Sequence, residues 1–257
     1  MKWATTCWTS LRTAGWFCLA AWKSLLSMPK LHFGLFLAVK IMSLKEILEK
    51  IQEELSVRET VREETERDMR KARRLSKQAI QVTHQERFDD AKNMLEEAKG
   101  LFVKLQETAK DHPYLLYSGS VEAAFEEHAE AHILLMLIQE DRFVGPKEID
   151  VPLTPYVLSL GDVVGELRRR VLDLIRRGNV EAAEKTLEKM EHIYSELTAL
   201  DDAYIIVKGL RRKGDVARRL IEITRGDITS EVRRSALERS ISELEKAIEK
   251  ESKDRKA

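Results

Sequence analysis

From Ser43 through Val82 the chain contains neither glycine nor proline. Within that run Leu44, Ile47, Leu48, Ile51 and Leu55 recur at helical spacing, and the pattern continues through Met69, Leu75, Ala79, Ile80 and Val82. Ser43-Leu44-Lys45-Glu46 has the form of a capping box, in which a serine hydroxyl and a glutamate three residues on satisfy each other's backbone amides. The spacing predicts one helix of about forty residues, with a break near Ser56 as the alternative, and a helix of that length suggests a bundle.

The remaining pattern is helical too. A second helix is expected from about Glu86 to Lys110, closed by Asp111-His112-Pro113. Ser120 is expected to cap a third helix, the most apolar in the chain (Ile133, Leu134, Leu135, Met136, Leu137, Ile138) and therefore central. A proline-containing loop over 145–155 leads to Thr154-Pro155, a cap and first-turn pair, and the helix that follows stops at Gly178. Asn179 caps the next, to about Leu197. A helix from about Asp202 to Arg225 is expected to close at Gly226, and a last, highly charged one to start near Thr229. No stretch alternates as a strand does. The expected class is all-α, a bundle of about seven helices.

Charge divides the chain unevenly. It holds 44 basic and 44 acidic residues, but residues 1–41 carry five basic ones (Lys2, Arg12, Lys23, Lys30, Lys40) and no acid. Residues 42–257 therefore hold 39 basic against 44 acidic, a net of −5, so any nucleic-acid contact must use local basic patches. The first segment also holds all four Trp and both Cys. Lys23, Pro29, Lys30 and Lys40 interrupt its apolar stretches before they reach the roughly 18–20 residues of a spanning helix. A basic start and apolar middle resemble a signal peptide, without a clean small-residue cleavage site. We read residues 1–41 as an extension outside the folded unit, either an upstream piece from a misplaced start with Met42 the natural beginning, or a loose membrane anchor. Residues 42–257 are the domain. With no Cys after residue 18, disulfides play no part in it, which fits the cytoplasm. No stable membrane insertion is expected.

Two acidic stretches carry the chemistry. Glu127 and Glu130 are three apart on one helical face, and Asp162 and Glu166 are four apart on another. Small neighbours (Ala123, Ala124, Ala131; Ser159, Gly165) leave room beside them, and apolar runs flank both stretches. Acids in such surroundings are costly to bury unpaired, so something positive should meet them. Hard oxygen ligands suit Mg²⁺, with Mn²⁺ as a substitute, and such an ion can neutralise a phosphodiester and activate water. The same spacing also fits ordinary surface or ion-paired acids. The Glu-x-x-His pairs of a di-iron bundle are missing. His128 and His132, four apart, fit either Zn²⁺ with a third ligand or two satisfied structural imidazoles. On the first helix Arg67, Arg70, Arg74 and Lys77 form a basic stripe, with Lys71 and Arg73 alongside. It fits either a solvated face or contact with a nucleic-acid backbone.

From about residue 60 to 229 the chain resembles the translin/Trax family of helical RNA-binding and RNA-cutting proteins. Tyr156-Val157-Leu158-Ser159-Leu160-Gly161-Asp162-Val163-Val164-Gly165-Glu166-Leu167 is similar to the family's Tyr-Leu-x-Gly helix ending in Gly-Glu-Leu. Glu127-His128-Ala129-Glu130-Ala131 is similar to the Glu-x-x-Glu-Ala of Trax. Leu210 to Arg219, on through Thr224-Arg225-Gly226, is similar to the late helix that closes on Arg-Gly. The resemblance implies a translin-like helical fold. It also implies the Trax-like branch (prokaryotic type), because Glu127, Glu130 and Asp162 stand at the catalytic positions that translin-type chains lack. Glu166 matches a further acid. Gly161 stands where the family residue is usually larger, Ser159 replaces a Gly, and the loop over 145–154 is shorter than in animal Trax.

The implied activity is a Mg²⁺-dependent endoribonuclease acting on single-stranded or processed RNA. Its metal ligands would be Glu127, Glu130, Asp162 and Glu166, and its RNA contacts Arg67, Arg70, Arg73, Arg74 and Lys77. The alternative is a non-catalytic protein that binds RNA or single-stranded DNA, as translin does. Without a separate translin-type partner, the resemblance implies a homo-oligomer, a closed shell of about eight chains.

Overall fold

The computed structural model describes residues 42–200 and 203–254. The expectations for residues 1–41 lie outside the described residues. The chain divides into two units, Met1–Glu53 and Glu54–Ala257. Among the described residues there are seven α-helices, one 3₁₀ turn and no strand, as the periodicity implies.

Helix α1 spans Leu44–His84 without a break at Ser56. Its capping box forms as expected: the Ser43 amide donates to Glu46 Oε2 (2.9 Å) and the Glu46 amide to Ser43 Oγ (3.2 Å). In the first unit Leu44, Ile47, Leu48 and Ile51 are all exposed, Leu44 by 71%. Their spacing makes a helix there but no core.

In the second unit the helices close on a core rich in alanine. Ala72, Ala79, Ala91, Ala98, Ala124, Ala129, Ala131, Ala183 and Ala217 are fully buried, and such small contacts let helix axes approach. Around them Met69, Leu115, Ile133, Leu134, Leu135, Leu167, Met190 and Leu197 are sealed from water. Each large apolar side chain so buried contributes about 1.5–3 kcal/mol. Helix α2 spans Phe88–Asp111 and a 3₁₀ turn Pro113–Tyr117. Helix α3, Gly119–Gln139, is buried on nearly every side, as its apolar composition predicts.

Helix α4 spans Leu153–Arg176, and α5 spans Val180–Thr198. Asn179 caps α5 as expected, its Oδ1 accepting from the Ala182 amide at 3.1 Å.

Four boundaries differ from the sequence reading. Helix α2 begins at Phe88 rather than Glu86, because Glu86 turns the chain with φ 62°. Ser118, not Ser120, sits at the α3 cap; its carbonyl accepts from Val121 and Glu122, and it makes no side-chain cap. Helix α4 begins after Pro152, ahead of Thr154. The largest difference is at the C-terminal end. A short α6, Ala203–Ile206, is followed by one long helix α7, Leu210–Asp254, which runs straight through Gly226. The break falls at Gly209, whose φ of 91° favours glycine, and buried Leu210 anchors the helix beyond it. The hydroxyls expected to cap a new helix bond back along α7 instead, Thr229 to the Arg225 carbonyl and Ser230 to that of Gly226.

Candidate metal and nucleic-acid site

The second unit brings the two acidic stretches together. A cleft of about 540 Å³ is lined by Glu127 and Glu130 from α3 and by Gly161, Asp162, Gly165 and Glu166 from α4. Lys77, Ile80 and Gln81 from α1, Arg169 from α4, which lies 3.7 Å from Glu166, and Val216 and Leu220 from α7 complete its walls. Helical spacing put each pair of acids on one face. The packing of α3 against α4 turns those faces toward the same space.

Three of the four acids are each engaged by a basic side chain of the protein. Glu127 Oε1 accepts from Arg73 Nε and Nη2 (3.1 Å each) and pairs with Lys77 Nζ at 3.1 Å. Glu166 Oε2 meets His84 Nε2 at 2.6 Å, a bond that holds the carboxyl below the usual range. Lys213 Nζ donates to both Asp162 and Glu126. Glu130 makes no ion pair among the described residues and is only 9% exposed. Burial, and then the charges of Asp162, Glu127 and Glu166, push it up to about 9, so it is protonated at pH 7. Burial first, and Glu127 next, raise Asp162 to about 6, while burial lowers Lys213 to about 8.

The donor set suits a hard divalent cation: carboxylates only, partly desolvated, one of them protonated by its burial and then by the charge of its neighbours. As placed, no three His, Cys, Asp or Glu side chains among the described residues converge on one ion. The acids share a cleft without sharing a point.

The basic stripe separates into parts. Arg73 and Lys77 reach the acids. Arg70 turns along its own helix to Glu66 (3.5 Å), and Arg67 and Arg74 are exposed on α1 without lining the cleft. Four charged or titratable residues at the site escaped the sequence reading: His84, Glu126, Arg169 and Lys213. Glu126 lay inside the acidic stretch, and Lys213 inside the late-helix motif. The signal for Lys213 was Gly161, since a Cβ there would stand 2.8 Å from Lys213 Cβ.

On the opposite side of α3, His128 is 1% exposed, lies 4.9 Å from the Phe102 ring and 4.4 Å from the His132 ring, and has no hydrogen bond at Nδ1. Burial drives it down to about 3. His132 Nδ1 is engaged with the His128 carbonyl at 3.1 Å. These are neutral core imidazoles, and no third metal ligand stands with them among the described residues. Among the described residues no helix is long and apolar enough to cross a membrane.

A family model described as the translin family matches residues 56–222. An uncharacterized protein of Methanocaldococcus jannaschii, MJ0175, is 30% identical over 199 residues, 77% of this chain and 88% of that one. Among solved structures, apo-NeC3PO superposes with a TM-score of 0.65 at 26% identity, covering 74% of this chain and 100% of that one. AfC3PO gives 0.65 at 30% identity, over 72% of this chain and 96% of that one. AfC3PO in complex with duplex RNA gives 0.65 at 29%, with the same coverage.

Proposed function

The chain belongs to the translin family, and from that premise we propose that it is a divalent-metal-dependent endoribonuclease of Trax type. The observation that carries this reading is the convergence of Glu127, Glu130, Asp162 and Glu166 on one cleft from two helices, with Arg73 and Lys77 at its edge. A similar chain, AfC3PO, has been solved with duplex RNA, which supports RNA as the ligand.

Glu127, Glu130 and Asp162 would hold Mg²⁺ or Mn²⁺, with Glu166 as a further donor. When bound, such an ion supplies neutralisation of the scissile phosphate and a lowered pKa for the attacking water. The protein's own groups do the rest. Arg73 and Lys77 can turn from Glu127 to phosphate oxygens with little movement of α1. Val216 and Leu220 form an apolar wall of the cleft. His84 fixes the orientation of Glu166 from a buried position. Arg67, Arg70 and Arg74 extend the positive track along α1. We also propose that the chain works as a homo-oligomer in the cytoplasm.

The test is cleavage of a short single-stranded RNA and of a duplex by the purified protein, with Mg²⁺ and then with chelator. Cleavage that needs the ion and disappears in Asp162→Asn and Glu130→Gln supports the reading. Activity that survives both substitutions would refute the site.

One observation favours a second reading, a protein that binds RNA or single-stranded DNA without cutting it. Three of the acids are already satisfied by Lys77, Arg73, His84 and Lys213, and they do not converge on one ion. That reading predicts strongly salt-dependent binding, no turnover, and affinity indifferent to neutralisation of the acids.

A further inference from the structure

Lys213 stands at the first turn of α7 and reaches across to two other helices. Its ammonium donates to Asp162 on α4 and to Glu126 on α3, and its side chain is 21% exposed. Its position is tightly determined. Leu210 and Ala217, three residues before it and four after, are fully buried and hold α7 against the bundle. The Lys213 stem lies directly over Gly161, where a Cβ would approach Lys213 Cβ to 2.8 Å, closer than real Cβ atoms come. The colliding atom would be the root of the side chain rather than its flexible end, so any larger residue at 161 must move the lysine. Gly161 immediately precedes the acid that Lys213 holds.

Resting on the reading of this cleft as a divalent-cation site, we propose that Lys213 is its built-in counter-ion. It competes with the metal for Asp162 and yields that carboxylate when the metal enters. Glu126 gives the ammonium a second anchor, so releasing Asp162 does not strand a charge in a half-buried place. Glu126 is therefore a holding residue and not a metal ligand. The arrangement sets a threshold: the cleft takes the ion only when the ion's attraction for the acids exceeds that of a tethered cation already on one of them.

The proposal is tested without RNA and without turnover, by calorimetric titration of the full chain with Mg²⁺ alone. Lys213→Met should tighten the Mg²⁺ dissociation constant about tenfold, a common size for coupling between two competing ligands. Lys213→Arg keeps the charge and should leave affinity closer to that of the starting protein than to that of Lys213→Met. Gly161→Ala keeps the lysine but displaces its stem, and should shift affinity in the same direction as Lys213→Met. If Lys213→Met fails to fold, by its circular dichroism melt, Gly161→Ala carries the comparison. Unchanged affinity in Lys213→Met and Gly161→Ala, with binding lost in Asp162→Asn, would overturn the counter-ion role and leave the metal site standing. Absence of Mg²⁺ binding in both the starting protein and Lys213→Met would overturn the two together.

Discussion

The two sides of α3 bury ionisable groups of opposite kinds. On one side Glu130 sits at the back of an open cleft among three other carboxylates and is pushed up to about 9. On the other His128 lies between Phe102 and His132 and is pushed down to about 3. In both cases burial is the first cause, and in both it favours the neutral form. What separates them is company and access. Glu130 has like charges beside it and solvent in front, so a cation arriving there gains from several acids at once. His128 has aromatic and aliphatic walls, so nothing can reach it. A perturbed acidity alone does not mark a site; a perturbed group that a ligand can reach is a better guide.

That contrast can be broken in several ways, beginning with the largest effect. Asp162→Asn combined with Glu130→Gln should lower Mg²⁺-dependent RNA cleavage by a factor on the order of 10³, measured as single-turnover rates. His128→Ala on the opposite side should leave the Mg²⁺ dependence of cleavage unchanged while lowering stability by about 2–4 kcal/mol through a cavity, measured by urea unfolding. If His128→Ala instead altered the metal response, the two sides of α3 would not be separate.

The pH dependence of metal-free stability sharpens the comparison. Glu130 is raised from 4.5 to about 9, so the folded state binds the extra proton and stability falls as pH rises through that interval. His128 is lowered from 6.5 to about 3, so the unfolded state binds the extra proton and stability falls as pH drops through that interval. Between 4.5 and 6.5 these two contributions oppose each other. Thermal melts from pH 3 to 9 should show Glu130→Gln flattening the alkaline arm and His128→Leu flattening the acid arm. Each change should be on the order of 1–3 kcal/mol. The smallest expected effect is Ser43→Ala, about 1 kcal/mol of helix-end stability, read as faster amide exchange near residue 44 with the cleft untouched.

Much of the fold was legible because helices are local. The capping box at Ser43, the unbroken run of α1, the Asn179 cap and the apolar α3 all depend on residues within a turn or two of each other. The failures were also local in origin. Gly226 looks like a stop and Thr229 and Ser230 look like a start. Yet the glycine is tolerated inside the helix, and the hydroxyls have carbonyls of their own helix within reach. Gly209, with φ 91°, was the real break.

The site was half legible. Spacing placed Glu127 with Glu130 and Asp162 with Glu166, because residues three or four apart share a helical face. It also drew a stripe of Arg67, Arg70, Arg74 and Lys77 with Lys71 and Arg73 alongside, and of these only Arg73 and Lys77 pair with an acid of the cleft, Glu127.

What the sequence determined alone is the set of helices and the direction each face takes about its own axis, since periodicity and caps act within a single helix. What only the tertiary structure decided is which faces meet. It set the four acids around one cleft, chose which cations reach them, and brought Lys213 over Gly161 from a helix that begins some fifty residues later. Those pairings depend on how closely helices pack, and that is fixed by the volumes of side chains distant in the chain rather than by any pattern within it.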